Sequence, residues 1–174
     1  MTLRNIKSVQ KILGLLLTVF SSTMLTPVIV ALIYQETTSL IFVISFAITG
    51  LFGLVLWLPA KKADTAIRLH EGFIIVASFW VVLALFGALP FFLLPELGLS
   101  VTNAVFESTS GLTTTGATIL TGLDELPRSL LFYRQQLQWL GGLGIVVLAV
   151  ALLPVLGVGG MHLYRAESSL AIRE

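Results

Sequence analysis

Residues 12–33, 38–60, 72–95 and 135–164 contain no Asp, Glu, Lys or Arg. About 20 apolar residues are enough for a helix to cross the hydrocarbon core of a bilayer. Inside that core the backbone must satisfy its own N–H and C=O groups, which leaves helices or closed barrels. Each run is long enough to cross, so each reads as a spanning helix. With 56% hydrophobic and 11% charged residues among 174, the chain is too apolar for a soluble domain. The expected fold class is an all-α integral membrane protein with four transmembrane helices.

The first run follows Arg4, Lys7 and Lys11, as a signal peptide would. It continues well past a signal core and meets no clear small-residue cleavage site, so it is expected to stay as a helix. Pro27 inside it removes one helical hydrogen bond and predicts a kink. The second run ends at Trp57 and Pro59, before Lys61 and Lys62, with Ala47 and Gly50 as small residues for close packing. The third contains Trp80, and Leu-Pro-Phe-Phe at 89–92 marks its far end. The fourth opens with Gln135, Gln136, Gln138 and Trp139. Its Gly141, Gly142 and Gly144 allow another backbone to approach, and Pro154, Gly157, Gly159 and Gly160 weaken it before His162.

Between the third and fourth runs lies a segment that fits no span. Ser100 is a candidate N-cap, and residues 101–110 supply about three helical turns, half a crossing. Residues 108–118 then read Ser-Thr-Ser-Gly-Leu-Thr-Thr-Thr-Gly-Ala-Thr, too polar to face lipid. Irregular backbone at membrane depth is tolerated only when buried in protein or lining a water-filled path. One reading is a re-entrant pore helix and an ion filter. Alkali cations take oxygen ligands, and the carbonyls of Thr113, Thr114 and Thr115 can replace a hydration shell. Gly116 can adopt left-handed angles that turn its neighbours' carbonyls to one side. A helix ending at Gly111 would bring its unpaired carbonyls and negative dipole end close to the same threonines. The plainer reading is a helix C-terminus followed by a loop. Residues 120–131, with Gly122, Asp124, Glu125 and Pro127, read as an exposed return.

Glu107 falls within the half-length helix, where an ionisable group is costly and often functional. It is expected to support the loop, either by accepting hydrogen bonds from its backbone or by pairing with Arg134. His70 and His162 have no partner at metal-ligand spacing. The glycines at 141–144 and 157–160 lack the G-x-G-x-x-G spacing after a strand that a nucleotide loop needs. No nucleophile–base pair is visible, so an enzyme is not expected. The net charge of +1 gives no reason to expect nucleic acid, and the absence of cysteine excludes disulfides and thiolate sites. With a cytoplasmic N-terminus, Arg4, Lys7, Lys11, Lys61, Lys62, Arg68, Arg165 and Arg173 lie inside, and only Arg128 and Arg134 outside. Eight against two agrees with the positive-inside rule and puts both termini in the cytoplasm and the loop outside.

Three runs carry a family resemblance: Phe-Glu-Ser-Thr-Ser-Gly-Leu-Thr-Thr-Thr-Gly-Ala-Thr at 106–118, Phe-Tyr-Arg-Gln-Gln-Leu-Gln-Trp-Leu-Gly-Gly-Leu-Gly-Ile at 132–145, and Leu-Pro-Val-Leu-Gly-Val-Gly-Gly-Met at 153–161. Together they resemble the bacterial TrkH-type subunit of the Trk potassium-uptake family. The resemblance implies a two-helix hairpin (1–62), a cytoplasmic linker (63–71), a helix–pore loop–helix repeat (72–164) and a cytoplasmic tail (165–174). It implies that backbone oxygens of Thr114 and Thr115, flanked by Thr113, Gly116 and Ala117, bind potassium as the transported ion, with no resident cofactor. It further implies a location in the bacterial inner membrane, a homodimer and a cytosolic nucleotide-binding regulatory subunit. Family members look like four such repeats around one pore, and this chain has one. A fragment that needs the remaining repeats is therefore expected, the alternative being a non-conducting packing or interaction piece.

Overall fold

The computed structural model describes residues 3–63 and 69–152, with side chains for 6–63 and 72–146. Arg68, Pro154, Gly157, Gly159, Gly160, His162, the tail at 165–174, most of the linker and the His70 side chain lie outside the described residues. The helices are α1 (Leu3–Thr23), α2 (Leu25–Ile33), α3 (Ser39–Ala60), α4 (Leu69–Gly87), α5 (Leu89–Leu93), α6 (Val101–Leu112) and α7 (Arg128–Leu152). Among the described residues, Ile6–Ile33, Ser39–Ala60 and Gly72–Leu93 are long and apolar enough to cross a membrane. The 25-residue α7 is about 37 Å long at 1.5 Å per residue, so it too can cross. It begins at Arg128, seven residues before the uncharged run at 135.

The first crossing is broken at Met24, between α1 and α2. Pro27 has no N–H for the carbonyl four residues back, that of Thr23. The freed carbonyl accepts instead from Gln136 Nε2 of α7, at 2.7 Å, and from Thr26 Oγ1, also at 2.7 Å. The Thr26 hydroxyl is equally 2.7 Å from Gln136 Oε1. A broken helix thereby gains a polar tie to another span. The third crossing breaks at Ala88, with Pro90 in the first turn of α5. There the Gly87 carbonyl accepts from the hydroxyl of Tyr133 at 2.9 Å. Tyr133 is fully buried and meets the rings of Phe42 and Phe91, each at a centroid distance of 5.5 Å, so α3, α5 and α7 share one aromatic junction.

Lipid is as apolar as leucine, so these helices associate through close packing and hydrogen bonds. Helix α1 packs most extensively on α3. The closest backbone approach is at Gly14 and Gly53: a Cβ on Gly53 would lie 2.8 Å from the Thr18 amide nitrogen, and one on Gly14 2.6 Å from that of Trp57. Of the small residues expected to matter, Gly50 is buried beside Ser21, whereas Ala47 is exposed. Helix α3 continues through Pro59 to Ala60, where the second uncharged run ends. Leu32, Leu40, Leu51, Val55 and Val81 lie on the outer surface, as lipid contact requires.

Two polar ties fix the ends of the crossings. Lys11 Nζ donates to the Ala63 carbonyl at 2.9 Å, joining the start of α1 to the end of α3. At the opposite end, Glu36 in the turn after α2 caps α7. Its carboxylate accepts from the backbone N–H of Arg128 (2.6 Å) and Ser129 (3.1 Å) and from the Ser129 hydroxyl. Thr38 adds a hydroxyl contact to Ser129 at 2.7 Å, and the Arg128 guanidinium lies 4.9 Å from the Tyr34 ring centroid. The carboxylate fills orphan donors at a helix N-terminus, where the dipole also favours negative charge.

Gly53→Ala is expected to destabilise the hairpin by about 1–3 kcal/mol, the range for overpacking, while Ala47→Leu stays near neutral. Thermal unfolding in detergent distinguishes the two. Burial of Glu36 raises its pKa, but the hydrogen bonds from Ser129, Arg128 and Thr38 together outweigh it and hold the carboxyl below the ordinary 4.5. A lowered folded-state pKa gives stability that is present above the unfolded value and lost as pH falls through the folded one. The cap is therefore expected to be pH-independent from neutrality down to about 5 and to weaken only in stronger acid. Hydrogen exchange at the Arg128 and Ser129 amides should show that onset, and Glu36→Gln should remove it.

Candidate functional site

The half-length helix α6 is set by its cap and by three glycines. Ser100 is extended, and its hydroxyl accepts from the Asn103 amide at 3.2 Å, which starts the helix. Twelve residues give it a length of about 18 Å, roughly half a crossing. It runs through Gly111 to Leu112 rather than ending at Gly111. Gly111 is needed there because a Cβ would lie 3.0 Å from Leu137 Cβ of α7. Reciprocally, a Cβ on Gly141 of α7 would overlap the Leu112 carbonyl, and one on Gly87 of α4 would lie 2.5 Å from Ser108 Oγ. Gly144 faces Trp80 at ordinary contact distance. The end of α6 is thus wedged between α4 and α7.

The chain then folds back on the helix end. The Thr113 amide donates to the Thr109 carbonyl (2.9 Å), Thr114 to Gly111 (2.9 Å), and both Thr115 (3.0 Å) and Gly116 (3.4 Å) to Ser110. Thr114 and Gly116 have positive φ, 57° and 73°. For glycine this region is free of a Cβ clash, whereas for threonine it is strained. Four successive N–H groups therefore point inward. Among the described residues, nothing donates to the carbonyls of Thr113, Thr114, Thr115 or Gly116. Residues 113–119 are exposed. The carbonyls of Thr109, Ser110 and Gly111, expected to stay unpaired near the threonines, are instead consumed by these loop amides, because the tight reversal brings the donors within reach. The Thr113 hydroxyl is likewise engaged, at 2.8 Å from both the Thr109 carbonyl and Thr115 Oγ1.

Glu107 anchors the far side of the loop. It is 3% exposed, and its Oε1 accepts from the Thr118 hydroxyl (2.6 Å) and the Ile119 amide (2.7 Å). Its Oε2 lies 3.3 Å from Nε of Arg134, which is 8% exposed. Both partners considered for Glu107 thus meet it at once. Arg134, counted with the outer charges by sequence position, is buried in this pair where α7 packs against α6. Behind the loop, the space bounded by Glu107, Ser110, Gly116, Ala117, Arg134 and Gln138 leaves no room for a water molecule. Sequence reasoning passed over Glu36, Thr118 and Ser110. The spacing of Ser110 three residues after Glu107, on the same helix face, was the available signal for the last.

A capped half-length helix and an exposed loop with unpaired carbonyls, set among long apolar helices, define an all-α membrane protein. The chain belongs to the TrkH family, described as cation transport protein, which matches residues 38–174. It is 54% identical over 163 residues to the Trk system potassium uptake protein TrkH of Halomonas elongata, covering 94% of this chain and 34% of that one. With the TrkH of Escherichia coli K12 it shares 53% over 161 residues, covering 92% and 33%. The crystal structure of the potassium transporter TrkH from Vibrio parahaemolyticus superposes with a TM-score of 0.84 at 50% identity, covering 96% of this chain and 36% of that one. The chain therefore spans about a third of the length of the curated relatives it matches.

Glu107→Gln keeps an acceptor for Ile119 but leaves Arg134 buried without its counter-charge. Breaking such a pair costs about 3–5 kcal/mol. The expected outcome is a lower unfolding temperature and faster proteolysis within residues 113–119, with Glu107→Gln/Arg134→Gln recovering part of the loss.

Proposed function

We propose that this chain supplies one wall of a potassium-selective filter in an uptake transporter of the bacterial inner membrane. The observation that carries this reading is the row of unpaired carbonyls from Thr113 to Gly116, in an exposed loop whose amides are bound to the end of α6. Carbonyl oxygens of Thr114 and Thr115 would bind the ion most directly, flanked by those of Thr113 and Gly116, with Ala117 closing the loop and Glu107 and Arg134 holding it. Uptake is passive and selective, driven by the membrane potential. Similarity to potassium uptake proteins supports potassium as the ion.

One wall coordinates a cation from one side only. Three further repeats would complete the ring, and the chain alone would be a non-conducting packing piece. In this reading residues 1–62 form a hairpin that braces the repeat at 72–164. Both termini and the linker are cytoplasmic, which agrees with the positive charge around Lys11, Lys61 and Lys62. A homodimer and a cytosolic nucleotide-binding regulatory subunit belong to the same proposal and rest on the family resemblance.

The test is potassium uptake in a deficient bacterial strain. Expressed alone, the chain is expected to insert without rescue. Substituted for the matching third of Escherichia coli TrkH, it is expected to rescue growth at low potassium. Gly116→Asp in that chimaera should abolish rescue, since a Cβ at φ 73° is strained and a carboxylate would intrude on the carbonyl row. Rescue that survives Gly116→Asp at equal membrane abundance refutes the filter assignment.

A further inference from the structure

We propose that Ser110 is a positioning residue that ends the ion-facing row of carbonyls at Gly116 by turning the Ala117 carbonyl back onto the pore helix. This rests on the filter reading and deepens it. Ser110 is 6% exposed, and its hydroxyl donates to the Ala117 carbonyl at 2.7 Å. Its own carbonyl accepts from the amides of Thr115 (3.0 Å) and Gly116 (3.4 Å). One residue thus grips the loop on both sides of Gly116.

A serine inside a helix ordinarily returns its hydroxyl to the carbonyl one turn back. Its neighbour Thr109 does so, donating to Val105 at 2.7 Å. Ser110 instead spends its single proton on the loop. The Ala117 oxygen is consequently held on the Ser110 hydroxyl, and Ala117 borders the narrow space also lined by Glu107, Arg134 and Gln138. One residue later the chain passes to Glu107, which holds Thr118 and Ile119. Ser110 and Glu107, three apart on one face of α6, divide the loop: carbonyls before Ala117 are free for an ion, and groups from Ala117 onward are structural. A carbonyl already holding a proton donor offers a cation a weaker field, and turning it outward would leave the buried hydroxyl unpaired. Selectivity depends on cavity size or on the number and field strength of the carbonyls. Ser110 fixes that number in this wall.

The experiment uses the whole chain within the Escherichia coli TrkH chimaera, with Ser110 intact, Ser110→Ala and Ser110→Thr at matched membrane abundance. Ser110→Ala is expected to lower the potassium-over-sodium uptake ratio by about fivefold, the scale of one hydrogen bond's net contribution. Ser110→Thr, which keeps the hydroxyl, is expected to restore most of it. An unchanged ratio in Ser110→Ala, or equal losses in both variants, overturns the proposal. A second measurement needs no transport. The infrared band of a ¹³C-labelled Ala117 carbonyl in the purified chain should move to higher frequency in Ser110→Ala, and an unmoved band overturns the proposal. A chimaera that carries no potassium while this band does move would refute the filter reading and leave the role of Ser110 in loop geometry standing.

Discussion

The carboxylate of Glu107 is the point on which the site depends. Thr118 and Ile119 reach one of its oxygens and Arg134 the other, so α6, the loop and α7 meet on a single side chain that is almost fully buried. A charge at this depth persists only with a counter-charge and filled lone pairs. Two of these partners are held by the loop and the third by α7. The loop cannot move away from α6, nor α7 rotate, without uncovering a buried charge.

Close backbone contact supplies the second constraint. Gly141 admits the Leu112 carbonyl, Gly111 admits Leu137, and Gly87 admits Ser108, so the end of α6 has almost no lateral freedom. With that end fixed, its last carbonyls lie where the amides of residues 113–116 can reach them. This pairing holds the amides of the loop and leaves its exposed carbonyls unpaired.

The same economy appears where prolines interrupt the spans. Pro27 frees the Thr23 carbonyl, and Gln136 takes it. At the second break, before Pro90, the Gly87 carbonyl accepts from Tyr133. Both donors come from α7, and Glu36 caps the start of that helix from the turn between α2 and α3. The hairpin at the N-terminal end is thereby tied to the loop-bearing repeat by hydrogen bonds to α7 at two depths, at Gln136 and at Arg128–Ser129.

The amino-acid sequence by itself determined the membrane spans, the start of the half-length helix at Ser100 and the need for glycine at 116. These follow from local quantities: uncharged length, a capping hydroxyl, and the absence of a Cβ where φ is positive. It narrowed Glu107 to two partners without revealing that both bind at once. Only the tertiary structure decided that Gly14 and Gly53, rather than Ala47, make the close contact between the first two spans, that α6 continues through Gly111, and that Glu36 caps α7. It alone turned the Ala117 carbonyl toward Ser110 while leaving those of Thr113 to Gly116 unpaired. The physical reason is that a glycine, a carboxylate or a carbonyl takes its role from what faces it. Here the facing atoms mostly come from residues distant in the chain, or from a reversal whose path is set by the helices on either side.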